Sequence, residues 1–575
     1  MLNKFIKKNQ YYNIVINFIK ENKKLFIFLA LLSFVSSIFQ VSMVAFILPI
    51  LDFIEMNGDV DIGKTYWSVI SQFLSFIHLE MNIYTLALLN LLIVFIFQVL
   101  DYFRLVYIQY LYPLGMRFIR KDLMKHFLLD DYLKINSFSK SALVTLYAVH
   151  AAEYGNLFYR IFVFLSLIIQ IVLFTFVLSI INIYLLALIG VYVLVIVAFT
   201  LKRGRYAQES GKEIASVNDK ILQRVTEALS SIKIIKVFNF EKNIHSQSVN
   251  DSDTFLEKNM IVYKIKGMMN FIDTFNFIFL MSVLVISYDY FNLPLSEIVV
   301  FLFLLFRLVP LLKSVNVEKI EINARLESAL KIKRFMDENS KNIKFIHYKK
   351  NKELQNIKLK NIDFSYEKDV VLKQLNLSFE VGNHYAVIGR SGAGKSTLVN
   401  VLLGLYKPTS GYIYFYDKAK QDIDINSTKT FYMSQESFIL NGTVKENLLF
   451  GIEDNINIKD EVIVQALNNV DLWVLFSESQ GLKTIIQEDG ANLSGGQKQR
   501  LALARLFVQH YDLIVLDEHT SSIDKKSIEI INNVIRGITN SIVINITHSD
   551  SIVENTDIII ELEDGKVKRV DDKNI

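Results

Sequence analysis

The sequence predicts an all-α membrane domain of six spanning helices followed by an α/β nucleotide-binding domain of the P-loop NTPase kind. Three observations carry that prediction. Hydrophobic residues make up 52% of the 575 positions, and such apolarity has to be hidden from water or placed in lipid. The apolar residues gather in the first half as long runs with few or no charges. The second half holds a glycine-rich loop between a short strand and an apolar helix.

The first half reads in order from its N-terminus. Tyr11, Tyr12, Val15, Phe18 and Ile19 recur at helical spacing opposite Asn13, Asn17 and Lys20, which predicts a short interfacial helix. Leu25–Leu51 and Met81–Leu100 contain no charge. Ile161–Leu201 is charge-free over about twice the length of a span, so it predicts two helices joined near Asn182. Gly267–Tyr288 carries only Asp273, and Ile298–Leu312 only Arg307. The expected spans are about 25–51, 81–105, 160–180, 183–202, 267–288 and 297–318. The first run is too long for the apolar part of a cleaved signal.

Lys and Arg set the orientation. Lys4, Lys7, Lys8, Lys20, Lys23 and Lys24 precede the first span, while 52–80 carries only Lys64. Segments 101–160 and 202–266 are rich in Lys and Arg; the link at Asn182 and segment 289–297 have none. The alternation predicts a multi-pass protein of the inner or cytoplasmic membrane with both termini cytoplasmic. The two long basic segments should extend the membrane helices into the cytoplasm, reversing near Ile135–Tyr147 and Ser216–Ala228. Asp101, Arg104, Asp273 and Arg307, in or beside spans, are candidate cargo contacts; the competing readings are a place at the cytoplasmic interface for Asp101 and Arg104 and a carboxylate partner on a second chain for Arg307.

Composition narrows the chemistry. Pro 5 and Gly 22 are low, which favours long helices and excludes collagen-like and Pro/Gly-rich classes. Cys 0 excludes disulfides, cysteine metal sites and cysteine nucleophiles. A net charge of +4 does not call for a nucleic-acid partner.

After about Lys341 the pattern turns α/β, so the expected domains are 1–340 and 341–575. Ile357–Tyr366, Val370–Phe379 and Tyr385–Ile388 read as strands. The loop that follows is Gly389, Arg390, Ser391, Gly392, Ala393, Gly394, Lys395, Ser396 and Thr397. Its glycines let backbone N–H groups face phosphate oxygens. Lys395 is placed for the β- and γ-phosphates, and the Ser396 hydroxyl for Mg²⁺. A second strand, Leu513–Asp517, ends in Asp517 and Glu518. Asp517 is expected to hold Mg²⁺ through water, and Glu518 to polarise the attacking water.

Between these motifs stand Leu493, Ser494, Gly495, Gly496 and Gln497. This pentapeptide resembles the signature of the ATP-binding cassette transporters. Further short motifs resemble that family in the same order. Tyr366 is similar to the aromatic that stacks on adenine, and Gln435 to the Q-loop residue linking Mg²⁺ and water to the membrane domain. Glu488 resembles the acid of the exporters' X-loop. Ser521, Ser522, Ile523 and Asp524 resemble the D-loop, and His548 the switch histidine on the γ-phosphate. Departures are His519 after the catalytic acid, Ser522 and Ile523 within the D-loop, and Ser549 after His548; none removes a catalytic group.

The resemblance implies an exporter half-transporter binding ATP and Mg²⁺. It implies a homodimer in which the signature of one chain closes on ATP held by the other. It also implies coupling helices near Ser137–Ala142 and Ser216–Ala228. The expected function is ATP-driven export or flipping of an amphipathic substrate by alternating access. The passages Leu503–Phe507 and Ile544–His548 resemble exporters of small antibacterial peptides, which tips the cargo toward a bacteriocin-like peptide over a lipid, a lipid-linked oligosaccharide or a drug. A siderophore-type importer and a channel-regulating ATPase are the alternatives.

Overall fold

The computed structural model describes residues 18–56, 58, 65–181, 190, 213–214, 216–291, 295–337, 352–367, 369–452, 458–519 and 523–573. The chain divides into two compact units. One is Met1–Asp130 with Ser137–Ile343; the other is Asp131–Asn136 with Lys344–Ile575.

The first unit is helical. Its main elements are α1 (Lys23–Ala45), α2 (Ile47–Glu55), α3 (Thr65–Phe76), α4 (Ile83–Leu129), α5 (Ala151–Ile181), α6 (Glu241–Phe291) and α7 (Leu295–Asp337). Asn82 starts α4 through a capping box with Thr85, which satisfies donors that a helix start leaves open. Among the described residues, four stretches are long and apolar enough to cross a membrane: Lys23–Glu55, Ile83–Leu129, Lys140–Ile180 and Ile298–Met336. The expected span at 267–288 lies inside α6. The expected span at 183–202 and the interfacial helix before Phe18 fall outside the described residues.

These helices pack through apolar seams. Val41 and Val44 of α1 meet Phe174 and Leu178 of α5, and Phe301 and Leu304 of α7, in one buried cluster. At the α4–α5 crossing Gly115 faces Gly155, and a methyl at Gly155 would collide with the Tyr112 carbonyl oxygen. Small residues let backbones approach where apolar burial gives no driving force between helices.

Polar bonds lock the same elements. Arg104 donates to Asp101 at 2.7 Å and to Ser166 at 2.8 Å. Arg160 pairs with Glu318 at 2.8 Å, and Arg325 with Glu153 at 3.1 Å. Asp101 and Arg104 are therefore engaged in helix packing. Arg307 is exposed on the single chain, and the Asp273 side chain lies outside the described ones.

The described parts of both long basic segments are helical, but the reversals differ from expectation. α4 runs to Leu129, and a short helix Tyr132–Asn136 comes before the chain turns into Lys140–Thr145, a π-helical turn at Leu146–His150 and α5. The segment Asp131–Asn136 belongs to the second unit, where the Tyr132 ring lies 6.0 Å from that of Tyr406. Residues 216–230 are helical, and Ile232–Val237 follows as a further helix. The reversal comes at Phe238–Phe240, with Asn239 at φ 51°. Asn tolerates this left-handed conformation better than most residues.

The second unit is a layered α/β body. β1 (Leu354–Tyr366) sits between β2 (Asp369–Glu380) and β4 (Ser410–Asp417) in an antiparallel sheet. The remaining named strands are β3 (His384–Gly389), β5 (Thr430–Met433), β6 (Gly442–Thr443), β7 (Ile485–Ile486), β8 (Leu513–Asp517), β9 (Ile542–Ile546), β10 (Ile558–Glu563) and β11 (Lys566–Asp572). A six-stranded sheet has the order β11-β10-β3-β9-β8-β5, parallel except for the β10–β11 pair. Its central strands are apolar on both faces, as buried parallel strands are. β3 and β8 end at the same edge as β9, since Asp517 is in register with Ile546 and Ile546 with Val387. Loops at the carboxyl ends of parallel strands are where α/β folds build ligand sites.

Candidate functional site

β3 delivers the glycine-rich loop, and α8 (Lys395–Leu402) leaves it. Gly389 has φ 151° and Gly394 φ 97°; a Cβ on Gly389 would collide with the Leu562 carbonyl oxygen, and one on Gly394 would come within 2.9 Å of Leu372. The cradle therefore admits no side chain at either end and leaves its backbone N–H groups at the start of α8, where an anion is favoured. Lys395 Nζ arches over the loop, donating to the carbonyls of Gly389 at 2.6 Å and Arg390 at 3.1 Å. The Tyr366 hydroxyl is 3.3 Å from Thr397 Oγ1. Tyr366 is partly exposed, edge-on to Phe364 and Tyr406, which stack on each other at 5.1 Å.

Asp517 closes β8 and Glu518 follows it in a left-handed conformation, φ 49°, held by its N–H to the Ile546 carbonyl at 3.0 Å. Burial pushes the Asp517 carboxyl up; the neighbouring Glu518 charge adds to this, and Lys395 opposes it. Gln435 Nε2 donates to Glu518 Oε2 at 2.7 Å, and His548 Nε2 stands 3.7 Å from Glu518 Oε1. One carboxylate is thus flanked by an amide donor and an imidazole contributed by three separate parts of the chain. The donor set of Ser396, Asp517 and Gln435 offers oxygen atoms alone, the chemistry Mg²⁺ selects, and Asp517 gains a compensating charge when a cation binds.

Ser494 caps α9 (Gly495–Ala504). Its Oγ accepts from Gln497 N at 3.3 Å, and Gln497 Oε1 accepts from Ser494 N at 2.8 Å. Glu488 begins a short 3₁₀ turn ahead of it. Asp524 caps α10 (Lys525–Arg536) by accepting from Ser527 N at 3.0 Å, and that bond holds its carboxyl below the usual range. Ser521 and Ser522 lie outside the described residues.

The ABC transporter family matches residues 372–521. The fold matches a bacterial Atm1-family ABC exporter with ATP bound at a TM-score of 0.77, with 18% identity, over 96% of this chain and 95% of that one. The chain thus carries an ABC transporter domain over residues 372–521. Its fold is that of the exporters, a helical membrane domain joined to one cassette.

Curated relatives extend the likeness at lower coverage. The chain is 28% identical to the heterocyst differentiation ATP-binding protein HepA of Nostoc sp., over 63% of this chain and 60% of that protein. It is 33% identical to the microcin-J25 export ATP-binding/permease protein McjD of Escherichia coli, over 37% of each. It is 30% identical to the lactococcin-G-processing and transport protein LagD of Lactococcus lactis, over 63% of this chain and 52% of that one. The chain spans less than two thirds of the length of each of these relatives.

One cassette residue escaped the sequence reading, and a second, named there as a departure, proves to be buried. Arg505 is buried, donating to the carbonyls of Asn447 at 2.7 Å and Phe438 at 2.8 Å and to Asn447 Oδ1 at 3.2 Å. Its guanidinium lies 5.6 and 5.7 Å from the Phe438 and Phe450 ring centres. It therefore ties the stretch after Gln435 to the end of the signature helix, and burial lowers its pKa to about 10. The signal for it was present as an arginine inside the otherwise apolar passage Leu503–Phe507. His519 is the second. Its ring is 1% exposed, and neither nitrogen has a hydrogen-bond partner among the described residues.

Proposed function

We propose that this chain is one half of an ATP-driven exporter that works as a homodimer and moves an amphipathic cargo outward by alternating access. Residues 1–340 form its membrane domain and 341–575 its cassette, with both termini in the cytoplasm and the spans in the inner or cytoplasmic membrane. The observation that supports hydrolysis is the placement of Glu518 between Gln435 and His548 beside the phosphate loop.

In this reading Tyr366 stacks on adenine, and the backbone of Gly389–Thr397 with Lys395 holds the β- and γ-phosphates. Ser396, Gln435 and, through water, Asp517 would hold Mg²⁺, which when bound neutralises phosphate charge. Glu518 takes the proton of the attacking water. His548 steadies the γ-phosphate, and Gln435 carries the state of the site toward the membrane domain. Ser494 of the partner subunit and the N–H groups of the partner's Gly495 and the partner's Gly496 complete the cradle. Glu488 and Asp524 lie at the cassette surface where closure is relayed.

The names of McjD and LagD favour a small bacteriocin-like peptide as cargo over a lipid, a lipid-linked oligosaccharide or a drug. Those names also speak for export over siderophore import. The test uses purified protein in lipid. Glu518→Gln should keep ATP binding and lose about 10²–10⁴-fold in turnover; turnover near wild type would overturn the catalytic assignment. An amphipathic peptide should raise wild-type ATPase activity; stimulation by a lipid and by no peptide would replace the cargo class.

A further inference from the structure

We propose that α3 (Thr65–Phe76) is a membrane-interface anchor, lying in the headgroup boundary of the leaflet reached between the first and second spans. The inference rests on reading α1 and α4 as membrane spans. The helix carries no charged residue, and its side chains sort into three faces. Trp67, Ile70 and Leu74 are buried in one cluster with Phe46, Ile50 and Phe53 and with Leu86 and Leu89 of α4. Ser68, Ser71, Gln72 and Ser75 form a polar wedge, with Ser71 and Ser75 bonding back to the carbonyls of Ser68 and Gln72. Val69, Phe73 and Phe76 lie on the face away from the core and are 61%, 50% and 81% exposed.

Beyond its core-facing side the helix keeps an exposed apolar face beside a polar one, and an exposed apolar face is what a helix lying at a lipid surface turns toward the acyl chains. Its level agrees. Leu86 and Leu89 fall within the first two turns of α4, so α3 sits beside that helix within about 9 Å of its start at 1.5 Å per residue. Interfacial helices bury their apolar face by about that depth. On α4, Tyr84, Leu88 and Leu91 are likewise exposed and face lipid in the same reading. A hydrogen bond from Tyr66 to Asp52 of α2 fixes the roll of the helix, so the third face is held outward.

The chain has no Cys, so single nitroxide labels can be placed on the full-length protein without background. The variants are Ser68→Cys, Val69→Cys, Phe73→Cys, Ser75→Cys and Phe76→Cys, with Leu91→Cys as a lipid control. They are reconstituted in phosphatidylcholine/phosphatidylglycerol vesicles, and power saturation is read against oxygen and a water-soluble nickel chelate. Retained ATP binding by each variant checks folding. Oxygen should dominate at positions 69, 73 and 76, and nickel at 68 and 75. Nickel access at all five, with oxygen dominant at 91, would overturn the anchor while leaving the membrane reading standing. Low access to both reagents at 69, 73 and 76, with dipolar broadening between labels, would overturn it in favour of a second copy on this face. Nickel access at 91 as well would remove the membrane reading itself.

Discussion

Replacing His519 with Met should flatten the cassette's loss of stability in acid. The His519 ring is 1% exposed, and burial pushes its pKa down from 6.5 to about 4. The folded protein therefore refuses a proton that the unfolded chain accepts. The contribution to stability is whole above about pH 6.5 and is lost as the pH falls toward 4. At about 1.36 kcal/mol per pKa unit, the full loss is about 3.4 kcal/mol. By pH 5 about 2 kcal/mol of it has gone. A domain of this size shifts by about 2–4 °C per kcal/mol, so His519 should account for a fall of about 4–8 °C in Tm between pH 7 and pH 5.

Met suits the exchange because it is unbranched, polarizable and fills irregular space, and it removes two polar atoms that lack partners among the described residues. The readout is fluorescence of Trp473 in the full-length protein, with Trp67→Phe in both backgrounds, since the chain has Trp 2. At pH 7 the variant should melt no lower than the parent, and ATPase activity should be kept, because the ring is buried rather than turned to the phosphate loop. Equal losses of Tm in parent and variant between pH 7 and pH 5 would refute the argument, for they would mean that the folded ring takes up its proton normally.

Lys395→Ala removes a charge-assisted phosphate contact of about 1.5–3 kcal/mol, so ATP should bind about 10–100-fold more weakly by equilibrium titration; unchanged affinity would contradict the phosphate-loop assignment. Arg505→Lys keeps the charge but cannot reach all three oxygens that Arg505 bonds. It should cost about 2–3 kcal/mol, seen as a cassette Tm lower by about 4–12 °C, and an unmoved Tm would show that the guanidinium is replaceable.

What could be read from the sequence was what neighbouring residues decide. The strand–loop–helix at 385–402 follows from glycines that only one backbone path admits and from an apolar strand before them. β8 was legible because Leu513–Leu516 is apolar without interruption and two acids end it. Pairings across long separations were not legible. Arg104 looked like an interfacial charge until Ser166, on another helix, appeared within 2.8 Å. The second cytoplasmic reversal was misplaced because helical periodicity runs on through 216–237; one left-handed residue, Asn239, sets the turn with neither Gly nor Pro to mark it. α3 was not separated from the segment 52–80, since twelve residues are too few to span. Gln435, Glu518 and His548 were each found by motif, but that Gln435 bonds Glu518 directly follows only from the sheet order that brings β5, β8 and β9 side by side.

In the proposed composite site Ser494 would serve fold and chemistry together, and this gives a test that separates the two. Ser494 Oγ accepts the Gln497 N–H. A hydroxyl that accepts one bond still has its own proton to donate, so capping α9 does not prevent Ser494 from donating to a phosphate oxygen of the other chain. Asp caps a helix about as well as Ser and is favoured by the helix dipole, but it has no proton to give and adds charge where phosphate must come. Ser494→Asp should therefore leave the cassette's stability within about 0.5 kcal/mol of wild type, keep ATP bound to Lys395 and abolish hydrolysis. Co-assembly with Lys395→Ala sharpens the result. The two lesions then meet at one composite site, the other site has both faces wild type, and part of the ATPase activity absent from either homodimer should return. Full ATPase activity in a Ser494→Asp homodimer would refute the composite site, since a like charge facing the γ-phosphate could not then lie at the closing surface.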